Sequence, residues 1–404
     1  MTGGSAHDQL DTLCDGCVDV VTRSDLAAKL ALARPLRVKL GIDPSGPLLH
    51  LGHAVVLRKL RQFQDLGHEA ILIVGDFTAQ IGDPTGRQDA RKPRQRAAIE
   101  EDMRTYAAQA GQIIDASRTK ILYNSEWLAR LTFVELIELA ARFTVAQMLD
   151  REDFAKRFES SEPIGLHEFV YPLGVAYDSV MVKADVELGG TEQLFNLLMG
   201  RRLQGDSGQP PQVCMTLPIL EGTDGVQRMG KSLNNFIALR DPPAEMFGKV
   251  MSVPDAVLAR YWRLAADAPR ADVDRIEREL ASGARSPRDT KLELARAIVA
   301  LYHGAQAAQT AQAHFERTVV RKELPDDVAV FHLPAADEPV SVTKILVWLG
   351  WASSHREAQR LVAQGAVKID GARVDDPKRV ETSWDGKIVQ KGNHQFARVV
   401  APKN

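Results

Sequence analysis

The sequence predicts an α/β fold: a doubly wound parallel sheet, followed by an α-helical domain and then a small α+β module. Three observations carry this expectation. Two short apolar runs, Val38–Ile42 and Ile71–Gly75, flank an amphipathic stretch from Leu51 to Phe63, the spacing of a βαβ unit. From about Pro242 to Val320 strand signals give way to helical periodicity. The stretch Val340–Asn404 holds eleven Lys/Arg against six Asp/Glu, a net of +5 that leaves −7 on the rest of a chain totalling −2.

Composition narrows the class. With 404 residues, 45% hydrophobic and 26% charged, the chain has the length for two or three domains and the balance of a folded protein. Among its apolar runs none approaches the ~18 residues of a spanning helix, and Met1–Asp11 lacks the basic-then-apolar order of a signal peptide, so a soluble cytoplasmic protein without membrane partners is expected. Three cysteines, Cys14, Cys17 and Cys214, are too few for a disulfide framework. Cys14 and Cys17 form a C-x-x-C, yet no second pair at zinc-finger spacing accompanies it, which leaves no protein-borne metal site to expect.

The elements follow in order. Val38–Ile42 reads as a strand closed by the turn formers Asp43-Pro44-Ser45-Gly46-Pro47. Leu51, Val55, Leu60 and Phe63 keep a 3.6-residue stripe, with Gly67 where a C-terminal cap belongs. Ile71–Gly75 is continuously apolar, as buried parallel strands are. Lys120–Tyr123 and Val213–Leu217 supply further strands; Arg96–Ile114, Leu131–Leu149 and Thr191–Leu203 supply helices. Ser286-Pro287-Arg288-Asp289 starts a helix with a cap and a first-position proline. Pro325–Pro339, rich in proline and acid, reads as a linker. Beyond it, Ser354-His355-Arg356-Glu357 is a capping box, and Asp370-Gly371 between Val367–Ile369 and Ala372–Val374 is a hairpin turn.

Two short segments carry the chemistry. His50-Leu51-Gly52-His53 lies where the first strand's loop becomes a helix, so two imidazoles stand at a helix N-terminus already disposed to bind phosphate. Gly52 allows a nucleotide to approach the backbone. Gln227-Arg228-Met229-Gly230-Lys231-Ser232 is a polar loop after the last strand, and by itself an ordinary basic turn.

Taken together, His50-x-Gly52-His53 and Met229-Gly230-Lys231-Ser232, about 180 residues apart, resemble the paired signatures of class I aminoacyl-tRNA synthetases. Further stretches resemble the bacterial tyrosyl family within that class: Gly41-Ile42-Asp43-Pro44, Gly75–Thr78, Ile81–Arg87, Tyr123–Trp127, His167-Glu168-Phe169, Tyr171-Pro172, Tyr177-Asp178-Ser179, Val186–Thr191 and Phe195-Asn196-Leu197. The tail resembles an S4-type RNA-binding domain. The resemblance implies a Rossmann-like catalytic domain with an inserted dimerisation segment over residues 1–235, an α-helical anticodon-binding domain and linker over 236–335, and the S4-type domain over 336–404.

It further implies activation of tyrosine by ATP, transfer to tRNA(Tyr), a homodimer, and Mg2+ that arrives with the phosphates. His50, His53, Lys231, Arg228, Arg87 and Arg91 would serve the phosphates, and Gly41, Asp43, Ser45, Gly52, Gly190, Glu192, Met229 and Ser232 would line the ATP site. Asp83, Asn124, Tyr171, Val175, Asp178 and Gln193 would surround the amino acid, with Asp178 taking the phenolic hydroxyl. Arg356, Arg360, Lys368 and Arg373, beside Lys378 and Arg379, would contact RNA backbone. Two positions depart from the family. Glu192 replaces a shorter Asp, and Val175 stands where Gln would reach the substrate ammonium, a contact worth about 1.5 to 3 kcal/mol that Gln80 is one candidate to replace. A paralogue for a modified tyrosine, a non-catalytic RNA-binding paralogue and a small-molecule nucleotidyltransferase are the competing readings.

Overall fold

The computed structural model describes residues 6–84, 95–321, 328–334, 340–381, 383–392 and 395–401. The chain divides into two compact units, Met1–Gly304 and Ala305–Asn404.

The first unit is built on six strands: β1 (Asp19–Val21), β2 (Arg37–Ile42), β3 (Glu69–Val74), β4 (Thr119–Tyr123), β5 (Val186–Gly190) and β6 (Val213–Leu217). Their order is β1-β6-β5-β2-β3-β4, all parallel except β1, which runs antiparallel to β6. The chain leaves β2 toward β3 and β4 on one side and later fills β5 and β6 on the other. The order therefore reverses between β2 and β5, and a doubly wound sheet opens its binding crevice at the C-terminal ends of those strands.

The expected first βαβ unit is present, with Leu51–Asp65 as its helix and Gly67 at φ +91° after it. Two expected long helices are broken. Arg96–Ile114 becomes Arg96–Met103 and Tyr106–Ala110, and Leu131–Leu149 becomes Phe133–Ala140 and Val145–Leu149. The second break has a local cause: Thr132 with Glu135 and Thr144 with Gln147 each form a capping box, so a new helix starts at 145. Strand β5 was not among the expected strands, because Glu187 in its middle and Gly189-Gly190 at its end mask the pattern of a buried strand. Helix Val170–Val182 carries Pro172 within its first turn, where proline is tolerated, and is buried over most of its surface. Helices Pro243–Ser252, Leu258–Leu264, Arg270–Ala281 and Pro287–His303 belong to the same compact unit, the last capped by Ser286 as expected.

The second unit holds a five-stranded sheet: β7 (Ala329–His332), β8 (Val367–Ile369), β9 (Ala372–Arg373), β10 (Ile388–Lys391) and β11 (Gln395–Val400), in the order β7-β11-β10-β8-β9. Within the expected linker, residues 329–332 are instead a strand, parallel to β11. An edge strand needs hydrogen-bonding partners rather than a sequence motif, which is why composition alone read this stretch as a connection. Val342, Ile345, Leu346, Val362 and Trp384 form the core under helices Val342–Trp348 and His355–Ala363. Ser354 caps the second helix, while Glu357 reaches past it to the Ser353 N–H at 2.8 Å. Asp370 and Gly371 both adopt positive φ, as the expected hairpin turn requires.

Candidate active site

One side of the candidate site is built at the start of helix Leu51–Asp65. His50 is its extended N-cap, and the His50 N–H donates to His53 Nδ1 at 3.2 Å, which assigns the His53 proton to Nε2. The rings lie 3.9 Å apart, tilted by 50°. Burial first, then each other's proximity and the charge of Lys231, hold the His50 ring well below the usual imidazole range. Burial and Lys231 push His53 down to about 3. Both rings are neutral at pH 7, so they can offer a ligand hydrogen bonds but not positive charge.

The charge comes from Lys231. Its ammonium donates to the Gly46 carbonyl at 2.9 Å and to the Tyr106 hydroxyl at 3.1 Å, and Tyr106 in turn donates to the same carbonyl at 2.6 Å. The convergence has a backbone cause. Leu51 N–H donates to the Ile237 carbonyl at 3.0 Å and Leu239 N–H to that of Leu49 at 2.9 Å, so the chain after Lys231 is zipped to the entry of the first helix. Asn235 pins the turn between: its carbonyl accepts from the Gly230 N–H at 2.8 Å and its amide donates to the Arg228 carbonyl at 3.1 Å. Gln109 holds the other side, accepting from the Leu49 N–H at 2.7 Å and donating to the Pro47 carbonyl at 2.8 Å. Tyr106, Gln109 and Asn235 were not singled out from the sequence, since each acts on backbone and belongs to no motif. Gly41 near the end of β2 and Ser45 in the loop after it are exposed, Met229 is buried and Ser232 exposed. A Cβ on Gly52 would sit 3.0 Å from His50 Nδ1 and 3.7 Å from Met229 Cβ. Arg87 and Arg91, with Lys92 and Arg94, lie outside the described residues.

At the C-terminal end of β5, Glu192 folds back over Gly190, where a Cβ would meet Glu192 Oε2 at 2.4 Å. That oxygen is buried without a hydrogen bond among the described residues. Burial raises the carboxyl, and the charge of Arg228 opposes the rise.

A second cluster lies across helix Val170–Val182, where Tyr171, Val175 and Asp178 share one face at helical spacing. Asp178 accepts from Trp127 Nε1 at 2.7 Å and Asn124 Nδ2 at 3.2 Å. Burial pushes its carboxyl up to about 6, against the pull of Lys39 and these two donors. Asn124 also donates to Thr78 Oγ1 at 3.0 Å and accepts from the Phe77 N–H at 2.9 Å, so its amide is committed to holding Asp178. Asp83 and Gln193 meet at 2.8 Å, and Arg151 approaches the other Asp83 oxygen at 3.4 Å. Asp43 accepts from Thr78 at 2.8 Å while its Oδ2 is buried without a close hydrogen bond among the described residues; the Tyr171 hydroxyl acts on the same carboxyl. Burial pushes Asp43 up to about 7. Val175 is half-buried, and Gln80 donates to the Asp76 carbonyl at 3.2 Å. Trp127 lay inside a quoted motif without a role, and Arg151 carried no sequence signal.

In the second unit Arg356 and Arg360 are exposed one turn apart on helix His355–Ala363. Lys368 and Arg373 face each other across the hairpin of β8 and β9. Arg373 lies over Gly365 and pairs with Asp375 at 3.0 Å, while Arg379 pairs with Glu381 at 2.7 Å.

Comparison with known proteins adds the following. A family model described as tRNA synthetases class I (W and Y) matches residues 31–319, and an S4 domain model matches residues 343–380. A tyrosine–tRNA ligase of Moorella thermoacetica is 50% identical over 395 residues, 97% of this chain and 95% of the relative. One from Thermotoga maritima is 47% identical over 97% of each chain. Among solved structures, a tyrosyl-tRNA synthetase of Archaeoglobus fulgidus complexed with L-tyrosine superposes with a TM-score of 0.64 at 23% identity, over 76% of this chain and 100% of that one, a likeness of fold.

Proposed function

Because this chain belongs to the class I tRNA synthetases of the tryptophan and tyrosine group, we propose that it activates tyrosine with ATP and transfers the tyrosyl group to tRNA(Tyr). The near full-length relatives named for that activity support the substrate, and nothing in the comparisons favours a modified amino acid, a non-catalytic paralogue or a small-molecule nucleotidyltransferase. The single observation that carries the mechanism is the docking of Lys231 on the loop that leads into His50 and His53.

In the first step the tyrosine carboxylate attacks the α-phosphorus of ATP, and the bond to the β-phosphate breaks to release pyrophosphate. No side chain has to take a proton. The neutral imidazoles donate hydrogen bonds to phosphate oxygens, and Lys231 and Arg228 meet the charge of the leaving group. Arg87 and Arg91 share that role in this reading. Gly190 and Glu192 hold the ribose, the extra methylene of Glu192 being absorbed by its folding back over Gly190. Asp178 takes the phenolic hydroxyl, and Asp83, Tyr171 and Gln193 surround the ammonium and carboxylate. Asp43, whose Oδ2 is buried without a hydrogen bond among the described residues and whose carboxyl Tyr171 also acts on, replaces the contact absent at Val175. In the second step a hydroxyl of the 3′-terminal ribose of tRNA attacks the acyl carbon, and AMP leaves.

The described residues hold no group of three or more His, Cys, Asp or Glu able to cage an ion. Mg2+ carried by the phosphates needs no such cage, so the residues present fit it. When bound it shields phosphate charge.

The RNA partner is met by Arg356, Arg360, Lys368 and Arg373, which contact backbone, and the three-part division at 235/236 and 335/336 assigns the anticodon to the helices after residue 235. A homodimer is supported by helix Phe133–Ala140, where Phe133, Val134 and Ile137 are 77%, 63% and 54% exposed. No described helix is long and apolar enough to cross a membrane, and the reading places the enzyme in the cytoplasm with its tRNA. The test is ATP–pyrophosphate exchange with tyrosine, phenylalanine and substituted tyrosines. Exchange with tyrosine well above phenylalanine is expected; exchange with a substituted tyrosine and none with tyrosine rejects the substrate.

A further inference from the structure

Lys39 and Glu187 are direct partners on β2 and β5, the strands that flank the crevice, and they are 0% and 2% exposed. Lys39 Nζ lies 2.7 Å from Glu187 Oε1 and donates to Ser179 Oγ at 2.8 Å and to the Val175 carbonyl at 3.0 Å. Three donors meet three acceptors, so the ammonium is saturated. Ser179 Oγ donates onward to Glu187 Oε2 at 2.9 Å, where the Gln212 amide also donates. No step of the reaction described above uses this pair.

Stability is a poor account of it, because a buried ion pair commonly contributes no more than apolar residues of the same volume. What the pair grips is more specific. Its contacts fall at Val175 and Ser179, the turn of helix Val170–Val182 that contains Asp178. Among the described residues, the donors to the Asp178 carboxylate are the neutral Trp127 and Asn124. The charges acting on it are Lys39 from β2, opposed by Glu187 from β5 and by Asp43 from the loop after β2. The arrangement also gives position 175 a role through its backbone, which an apolar side chain leaves untouched.

We infer that Lys39 and Glu187 are positioning residues for hydroxyl selectivity: they fix the Val175–Ser179 turn so that Asp178 meets the substrate's para-hydroxyl, and Lys39 supplies the positive field that keeps this carboxylate an acceptor. The inference deepens the tyrosine reading and rests on it.

The test uses the full chain in ATP–pyrophosphate exchange with tyrosine and with phenylalanine across pH. Lys39→Met is expected to raise the tyrosine KM about tenfold or more, to leave the phenylalanine KM and the saturated rate little changed, and to move the acid limb of the tyrosine profile to higher pH. Glu187→Gln, which leaves Lys39 unopposed, is expected to move that limb to lower pH. Lys39→Met/Glu187→Met restores an apolar core and is expected to fold without recovering selectivity. An unmoved tyrosine-to-phenylalanine ratio and acid limb in Lys39→Met overturn the inference. If that variant fails to fold, Glu187→Gln decides: a lowered limb supports the inference and an unmoved one overturns it. Absence of tyrosine-dependent exchange in the wild type rejects the tyrosine reading and the inference with it, whereas intact wild-type exchange with unmoved variants rejects the inference alone.

Discussion

The Lys231 ammonium lies 2.9 Å from the carbonyl of Gly46, 185 residues earlier in the chain. This contact joins the two motifs that the sequence keeps far apart. Tyr106, whose hydroxyl touches both partners, keeps the ammonium over the loop that leads to the paired imidazoles.

Lys231→Ala is expected to slow adenylate formation by about two to three orders of magnitude, the usual effect of removing one group that stabilises transition-state charge. Tyrosine affinity is expected to stay near its wild-type value, because Lys231 is not among the groups around Asp178 and Asp83. Pyrophosphate exchange and tyrosine titration by tryptophan fluorescence check the two halves; equal loss in both contradicts the assignment.

Selectivity is expected to depend on pH. Burial places Asp178 at about 6, so it is largely ionised at pH 7.5 and protonated at pH 5. An ionised acceptor binds a phenolic hydroxyl more strongly than a neutral one. The tyrosine KM should therefore rise as pH falls through about 6, while the phenylalanine KM lacks this component. Asp43, pushed up to about 7, acts near the ammonium that both substrates share, so the ratio of the two KM values isolates Asp178.

Stability should carry its own pH dependence at His53. Its folded value, about 3, lies below the usual 6.5, so the unfolded chain binds the extra proton between those limits. Its contribution is full above pH 6.5 and is lost as pH falls toward 3, by up to about 1.4 kcal/mol per unit. The raised carboxyls of Asp43 and Asp178 run the other way, gaining as pH falls. The comparison is therefore wild type against His53→Gln, whose carbonyl still accepts from His50. The Tm advantage of the wild type should shrink on going from pH 7.5 to 5.5, as followed by thermal unfolding.

Gly190→Ala is expected to fold normally, since φ at Gly190 is −73°, yet to raise the ATP KM. Its Cβ would meet Glu192 Oε2 at 2.4 Å, and the flexible carboxylate yields by leaving the position that the proposed function sets beside the ribose. An unchanged ATP KM, measured by exchange at saturating tyrosine, counts against a nucleotide role for Glu192.

Arg356→Glu/Arg360→Glu is expected to weaken tRNA binding, to lower the slope of log affinity against log salt by about two, and to spare pyrophosphate exchange. Filter binding over a salt series measures the slope. A tRNA affinity that does not move removes this helix face from the interface.

Much of this molecule was open to reading in one dimension. The βαβ start, the helical middle, the capped tail helix and the Asp370-Gly371 hairpin rest on interactions between residues a few positions apart, and such patterns are visible in the order of side chains. Strand β5 and the strand at 329–332 were hidden for a common reason: each depends on neighbours distant in sequence. Glu187 is acceptable inside a buried strand because Lys39 faces it on β2, and residues 329–332 pair because β11 lies beside them. The break at Thr144 was legible in principle, since its capping box with Gln147 is local.

Residue order by itself determined the family, the first βαβ unit, the helical middle and the candidate groups at His50, His53, Lys231 and Asp178, because motifs and periodicities are local properties of the chain. Only the tertiary structure decided what those groups are chemically: imidazoles kept neutral by burial, an ammonium set on the Gly46 carbonyl, and Asp178 held by Trp127, Asn124 and the field of Lys39. Protonation state follows from desolvation and from charges brought close by folding, and neither is written in the spacing of residues along a chain.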